Sequence, residues 1–126
     1  MPAQEVDLCH LINEIISDFK NIYLIEKRNL NVYAKPHVLR QPELAVRIAL
    51  KNLIRNAFQH STGDEIQVIQ MRGTVKIINS LMPSYLDPAD TGFGLGRELI
   101  ARLTDKLGKL KFMSNDSHHV AIVKFD

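Results

Sequence analysis

Residues 65–79 read EIQVIQMRGTVKIIN, two runs that alternate apolar and polar with period two and are interrupted only by Arg72-Gly73. Such a pattern predicts two half-buried strands joined in a β-hairpin. The hairpin sits between segments of helical period, so the chain must cover one face of a sheet with helices. Residues 7–20 place Leu8, Leu11, Ile12, Ile15, Ile16 and Phe19 at helical spacing, with Asp7 positioned as an N-cap. Pro42 opens a second helical run to about His60, in the first-turn position where a proline is tolerated. Residues 96–107 predict a third helix, with Glu98 and Arg102 paired one turn apart and Gly108 as its C-terminal cap. LNVYA (30–34), KLKFMS and HHVAIVKF complete the set of strands.

This order predicts an α/β (α+β) two-layer sandwich, three main helices on a mixed, mostly antiparallel sheet, formed by residues 1–126 as one domain. A chain of 126 residues buries roughly two-thirds of its unfolded surface, so a core forms without staples. Cys9 is the only cysteine, which excludes an internal disulfide and reads as a buried structural thiol in a reducing compartment. A formal charge of +2 with scattered basic residues argues against nucleic acid as a partner. No stretch approaches the roughly 18 apolar residues of a membrane span, and the N-terminus lacks a signal-peptide pattern. A cytoplasmic, monomeric chain without direct membrane contact is expected.

The run from Pro42 to His60 separates into three stripes at helical period. Val46, Leu50, Leu53 and Ala57 are expected in the core, and Glu43, Arg47, Lys51 and Arg55 along a solvated edge. The third stripe passes from Ala45 and Ala49 to Asn52 and Asn56, and ends at Gln59 and His60. Asparagine competes with the helix for backbone hydrogen bonds, so two of them in mid-helix ask for a reason. Either they are solvated or cap a loop, or they form a polar wall facing a ligand, where an amide oxygen can bind a hard cation such as Mg²⁺. The pair followed by His60 favours the second reading.

Half of the six glycines stand at Gly92, Gly94 and Gly96, directly before the third helical segment. Glycines leading into a helix N-terminus build an anion site from free N–H groups and the positive end of the helix dipole. Leu95 between two of them suggests a loop packed in a fixed shape. No Gly-Lys-Ser/Thr follows, which excludes a Walker loop, and the spacing is not that of a dinucleotide fingerprint.

Taken together, NLIRNAFQHS (52–61), VKIINS (75–80), TGFGLGRELIARL (91–103) and the opening VDLCHLINEIISDF (6–19) resemble the catalytic ATP-binding domain of bacterial sensor histidine kinases, within the GHKL (Bergerat-fold) ATPases. The resemblance covers nearly the whole chain. It implies that Asn56 holds the Mg²⁺ bridging the ATP phosphates and that Asn52 lines the same wall. It further implies that Gln59 and His60 reach the nucleotide and that Gly92, Gly94 and Gly96 wrap the phosphates, with Leu95 alongside. The hydrolysing relatives carry a glutamate general base at the position of Asn52. An amide cannot accept that proton, so transfer to a side chain fits better than hydrolysis.

The chain departs from the family pattern where an Asp-x-Gly-x-Gly box should follow the second hairpin strand. Here it reads Asn79-Ser80-Leu81-Met82-Pro83, so Asn79 stands where an aspartate would accept from the adenine amino group. Ten residues separate Ser80 from Thr91, a short lid, in which Asp87 and Asp90 read as solvated. Gln59 replaces a common Lys or Arg.

His10 lies in the first helix and is not expected to be a phosphoacceptor, and His118 and His119 are expected at the surface. The resemblance thus implies a module that takes the γ-phosphoryl group of Mg-ATP to a histidine on a helical domain of its parent chain or dimer mate, for relay to a response regulator. The alternative is a degenerate fold with weak or no ATP binding that acts as a regulatory interaction module. A third member of the superfamily, an anti-sigma-factor kinase, is disfavoured because Asn52 replaces its usual acidic residue.

Overall fold

The computed structural model describes residues 2–22, 29–60, 65–80, 102 and 105–126. In chain order the elements are β1 (Gln4–Asp7), α1 (Leu8–Ile22), β2 (Asn29–Tyr33), β3 (Val38–Gln41), α2 (Glu43–His60), β4 (Glu65–Met71), β5 (Thr74–Ser80), β6 (Gly108–Ser114) and β7 (His118–Phe125). The main sheet has five strands in the order β2-β4-β5-β7-β6; β1 and β3 form a separate antiparallel pair. Only β2 and β4 run parallel, and every other neighbouring pair is antiparallel. The two-layer, mixed and mostly antiparallel architecture read from the sequence is the one observed. Two of the three expected helices are α1 and α2; most of the third, over 96–107, lies outside the described residues, of which Arg102 and Asp105 are helical. No helix among the described residues is long and apolar enough to cross a membrane.

The helix α1 begins where its sequence says it should. Asp7 Oδ1 accepts from the backbone N–H of Cys9 at 3.0 Å, satisfying one of the orphan donors of the first turn. All six apolar residues of its stripe are buried, from Leu8 to Phe19. Cys9 itself is half-buried, not a core thiol: it follows the buried Leu8 on a neighbouring face, and Asn13 Nδ2 lies 3.5 Å from its Sγ.

Four-residue strands carry too little period to be read, so β1 and β3 escape the sequence analysis. Their pairing joins Gln4 to Gln41 and Asp7 to Val38. At the end of β3, Gln41 Nε2 donates to the carbonyls of Leu107 (3.2 Å) and Asp126 (2.9 Å), tying the small sheet to the last strands of the large one.

In α2 the Pro42 carbonyl accepts from Val46 N–H at 3.1 Å, so the proline precedes the first helical residue by one position. Val46, Leu50, Leu53 and Ala57 are in the core as expected. So are Ala45, Ala49, Ile54 and Phe58, because α2 lies against both α1 and the sheet and must bury a wider arc than one stripe. Ala45 and Ala49 are therefore close-packing residues, and only Asn52 and Asn56 of that stripe are polar. Phe58 meets Phe19 of α1 edge-to-face, with ring centroids 6.0 Å apart.

Arg47 is not simply solvated: it reaches Glu43 at 2.7 Å and Glu14 of α1 at 3.1 Å. The hydrogen bond from Arg47 and its charge hold the Glu14 carboxyl below the ordinary carboxylate value. The pair is half-exposed and contributes little to stability.

The sheet places one face toward the helices. Three rows cross it there: Leu30, Ile66, Asn79, His119 and Ser114; Val32, Val68, Ile77, Ala121 and Phe112; then Gln70, Val75, Val123 and Leu110. Ile66, Val68, Val75, Ile77, Ala121 and Val123 are buried, whereas Lys76, Lys109, Lys111 and Lys124 point to the other face and are exposed.

The β4–β5 hairpin closes with Arg72 at φ 54°, a left-handed conformation required by the primed two-residue turns. A non-glycine residue there carries strain that asparagine relieves. Arg72→Asn is expected to stabilise by about 0.5–1 kcal/mol, read as a rise of roughly 3 °C in thermal midpoint by circular dichroism.

Gly108 is not a left-handed helix cap. It is the first residue of β6, paired with Phe125, and buried against the backbone of β7.

Candidate functional site

Polar side chains interrupt the apolar face of the sheet at one end, in the row that holds Asn79, His119 and Ser114. Alternation along β5 turns Val75, Ile77 and Asn79 inward together, so an amide takes the position that a third aliphatic residue would occupy. Asn79 is 1% exposed, and its Nδ2 has no hydrogen-bond partner. An unsatisfied buried donor costs about 1–3 kcal/mol, so such a group in a native fold calls for a ligand or an ordered water.

Above Asn79 passes α2, and a cleft of about 10 Å³ between them is lined by Leu53, Asn56, Ala57, Ile77, Asn79, Phe112, His119 and Ala121. That is room for about one water. Asn56 is half-buried and faces this cleft. The structure thus brings together Asn56 and Asn79, two residues singled out from segments far apart in the chain.

His119 corrects the sequence reading. It is buried at 6% exposure, not at the surface. Its Nδ1 lies 2.5 Å from Ser114 Oγ on the neighbouring strand, and its ring stacks on Phe112 with centroids 5.8 Å apart and planes at 22°. Only His118 of the pair faces the outer side of the sheet, half-buried and 2.8 Å from Ser117 Oγ through Nδ1. The available signal was alternation: His119, Ala121 and Val123 share a parity that the buried end of the strand fixes. Phe112 and Ser114 follow from the register of β6 on β7, which no local pattern specifies.

Asn52 takes a different position. Its Nδ2 donates to the Ile48 carbonyl at 2.8 Å and its Oδ1 accepts from the Arg55 guanidinium. It is half-buried one turn before Asn56 and does not line the cleft. Gln59 is exposed near the end of α2. The His60 side chain, and Gly92, Gly94, Leu95 and Gly96 with the lid, lie outside the described residues. Among the described residues, no group of three or more His, Cys, Asp or Glu side chains is placed to hold a metal ion.

A larger groove of about 680 Å³ opens at the opposite end of β2 and β4, lined by residues that include Val32, Tyr33, Lys35, His37, Met71 and Arg72. Size favours it, yet its buried polar group is already satisfied. Gln70 Oε1 accepts from Lys35 N–H at 2.8 Å, and Gln70 Nε2 donates to the Arg72 carbonyl at 2.7 Å. The unsatisfied amide lies in the smaller cleft, and the candidate site is therefore placed there.

No protein-family model matches the chain, and no curated protein matches it by sequence. Solved structures do match by shape. The cytoplasmic segment of histidine kinase QseC superposes with a TM-score of 0.74 at 15% identity, covering 98% of this chain and 74% of that one. The catalytic domain of histidine kinase ThkA gives 0.71 at 18% identity, with 99% and 97% covered. The ATP-binding domain of PrrB from Mycobacterium tuberculosis gives 0.66 at 18% identity, with 100% and 99% covered. The chain has the fold of the ATP-binding catalytic domain of histidine kinases.

Proposed function

We propose that this domain binds Mg-ATP and presents the γ-phosphoryl group to a histidine on a separate helical domain, of the parent chain or its dimer mate, for relay to a response regulator. One observation carries the proposal: the buried, unpartnered amide of Asn79, facing a cleft that Asn56 walls from the helix side. A purine edge supplies both a donor and an acceptor, and so meets an asparagine amide fully. On this reading Asn79 fixes the base and the layer of α2 over the sheet shields it from water.

The residues suit magnesium as well as nucleotide. Mg²⁺ takes oxygen ligands and is commonly held by few protein groups plus substrate phosphates. Asn56 would supply the amide oxygen. When bound, the ion neutralises phosphate charge that transfer would otherwise leave uncompensated. Gly92, Gly94 and Gly96, with Leu95, would contribute backbone N–H groups to the phosphates, and Asn52, Gln59 and His60 would complete the wall along α2. Asn52 has no basic site at which to activate water, so this chain would favour transfer over hydrolysis. Catalysis would then rest on positioning and charge neutralisation.

A second reading has its own observation. The cleft holds about one water as it stands, and Asn52 is engaged within its own helix, as in a nucleotide-binding fold that has become a regulatory interaction module. Isothermal titration of the domain with ATP, with and without Mg²⁺, separates the two. Saturable, Mg²⁺-dependent binding is expected; no heat at millimolar nucleotide, in the domain and in the full-length parent alike, would leave the second reading standing.

A further inference from the structure

The chemistry of the cleft bears on which purine it takes. A carboxylate at the position of Asn79 would only accept hydrogen bonds, and so would have no donor to offer a 6-oxo group. An amide carries an acceptor and a donor side by side. Its oxygen can accept from the 6-amino group of adenine while its nitrogen donates to N1. Turned over about its last torsion, its nitrogen donates to a 6-oxo group while its oxygen accepts from a protonated N1.

The structure leaves the donor of this amide unpartnered at 1% exposure, and no aspartate or glutamate is among the described residues lining the cleft. Among the described residues, a 6-oxo group brought to Asn79 therefore faces no carboxylate of the cleft lining. It meets instead the one described buried side-chain donor that lacks a partner. His119 does not oppose this, since its ring is held by the stack on Phe112 and by Ser114, one strand away from Asn79 in the same row.

We infer that the site accepts 6-oxopurine nucleoside triphosphates as well as ATP, because the reader of the base edge is an amide that offers both hydrogen-bonding senses. The inference rests on the proposed nucleotide-binding function of this same cleft.

Inosine triphosphate is the probe, since it differs from ATP at the C6 edge and carries no 2-amino group to confuse the comparison. The wild-type domain is titrated calorimetrically with Mg-ATP and with Mg-ITP, and so is Asn79→Asp after a thermal melt has shown it folded. In the wild type the two dissociation constants are expected within about tenfold of one another, as for a site with no unpaired group against either base. In Asn79→Asp the binding of Mg-ITP is expected to weaken by roughly 10- to 100-fold, because the 6-oxo group then faces a carboxylate and no donor. Saturable ATP binding with ITP more than about tenfold weaker in the wild type would overturn the inference and leave the proposed function intact. Binding of neither nucleotide would overturn both. If Asn79→Asp does not fold, the wild-type ratio decides alone.

Discussion

Gly108→Ala is expected to lower stability by about 3 kcal/mol, since overpacked sites that cannot relax lie at the upper end of such costs. A Cβ on Gly108 would stand 1.9 Å from the Lys124 carbonyl oxygen and 2.8 Å from its carbon. Both are backbone atoms, so no side-chain rotation relieves the clash, and β6 must move away from β7. The register at stake pairs Gly108 with Phe125 and, further along, Phe112 with Ala121 and Ser114 with His119. A slip by one residue would turn Phe112 and Ser114 to the outer face and leave His119 without its stack. For a chain of this size the loss corresponds to a fall of roughly 10 °C in thermal midpoint. A midpoint unchanged within about 2 °C would mean that β6 does not approach β7 as described.

Asn56→Ala is expected to do the reverse, leaving the fold intact while removing function. Asn56 is half-buried on α2, and alanine is the better helix former by roughly half a kcal/mol, so the melting midpoint should stay or rise slightly. Mg²⁺-dependent nucleotide binding should fall roughly 10- to 100-fold, the usual consequence of leaving one polar partner unmet at a buried or metal-linked contact. Calorimetric titration and a melt on the same sample check both halves. A variant that melts early and binds weakly would make Asn56 a structural residue only.

How far the chain could be read from its sequence follows from the physics of each element. The stripe of α1 and the alternation of β4 and β5 were plain because each element buries one face and exposes the other. Asp7 capped the helix where its type and position said it should. Ala45 and Ala49 were harder, since alanine suits a solvated edge and a close helix contact equally, and only the packing of α2 against two neighbours decides. Glycine has the same ambiguity at position 108, where a helix cap and a close backbone approach both exclude a side chain. The paired histidines hid the buried one because strand parity, not residue type, assigns the inner face.

At the site, Asn56 and Asn79 could be singled out by motif, yet what links them is visible only in the fold. Their approach depends on β5 pairing with β4 and β7 and on α2 crossing above, contacts that no window of sequence contains. The absence of an Asp-x-Gly box read as a departure that leaves Asn79 to meet the base. In the structure it leaves an amide with an unused donor in a cleft without a carboxylate among its described lining residues. That is a different specificity, not a lost one, on the account given above.

The central claim is that nucleotide binds at the polar end of the sheet, under α2, and not in the larger groove at the opposite end. Nuclear magnetic resonance reads this directly, by following the side-chain amide signals of Asn79 and Asn56 while Mg-ATP is titrated into labelled protein. The account predicts saturable shifts of both amides, with the backbone signals of Lys35, His37 and Arg72 unmoved. Saturable shifts at Lys35, His37 and Arg72 with Asn79 unmoved would contradict it.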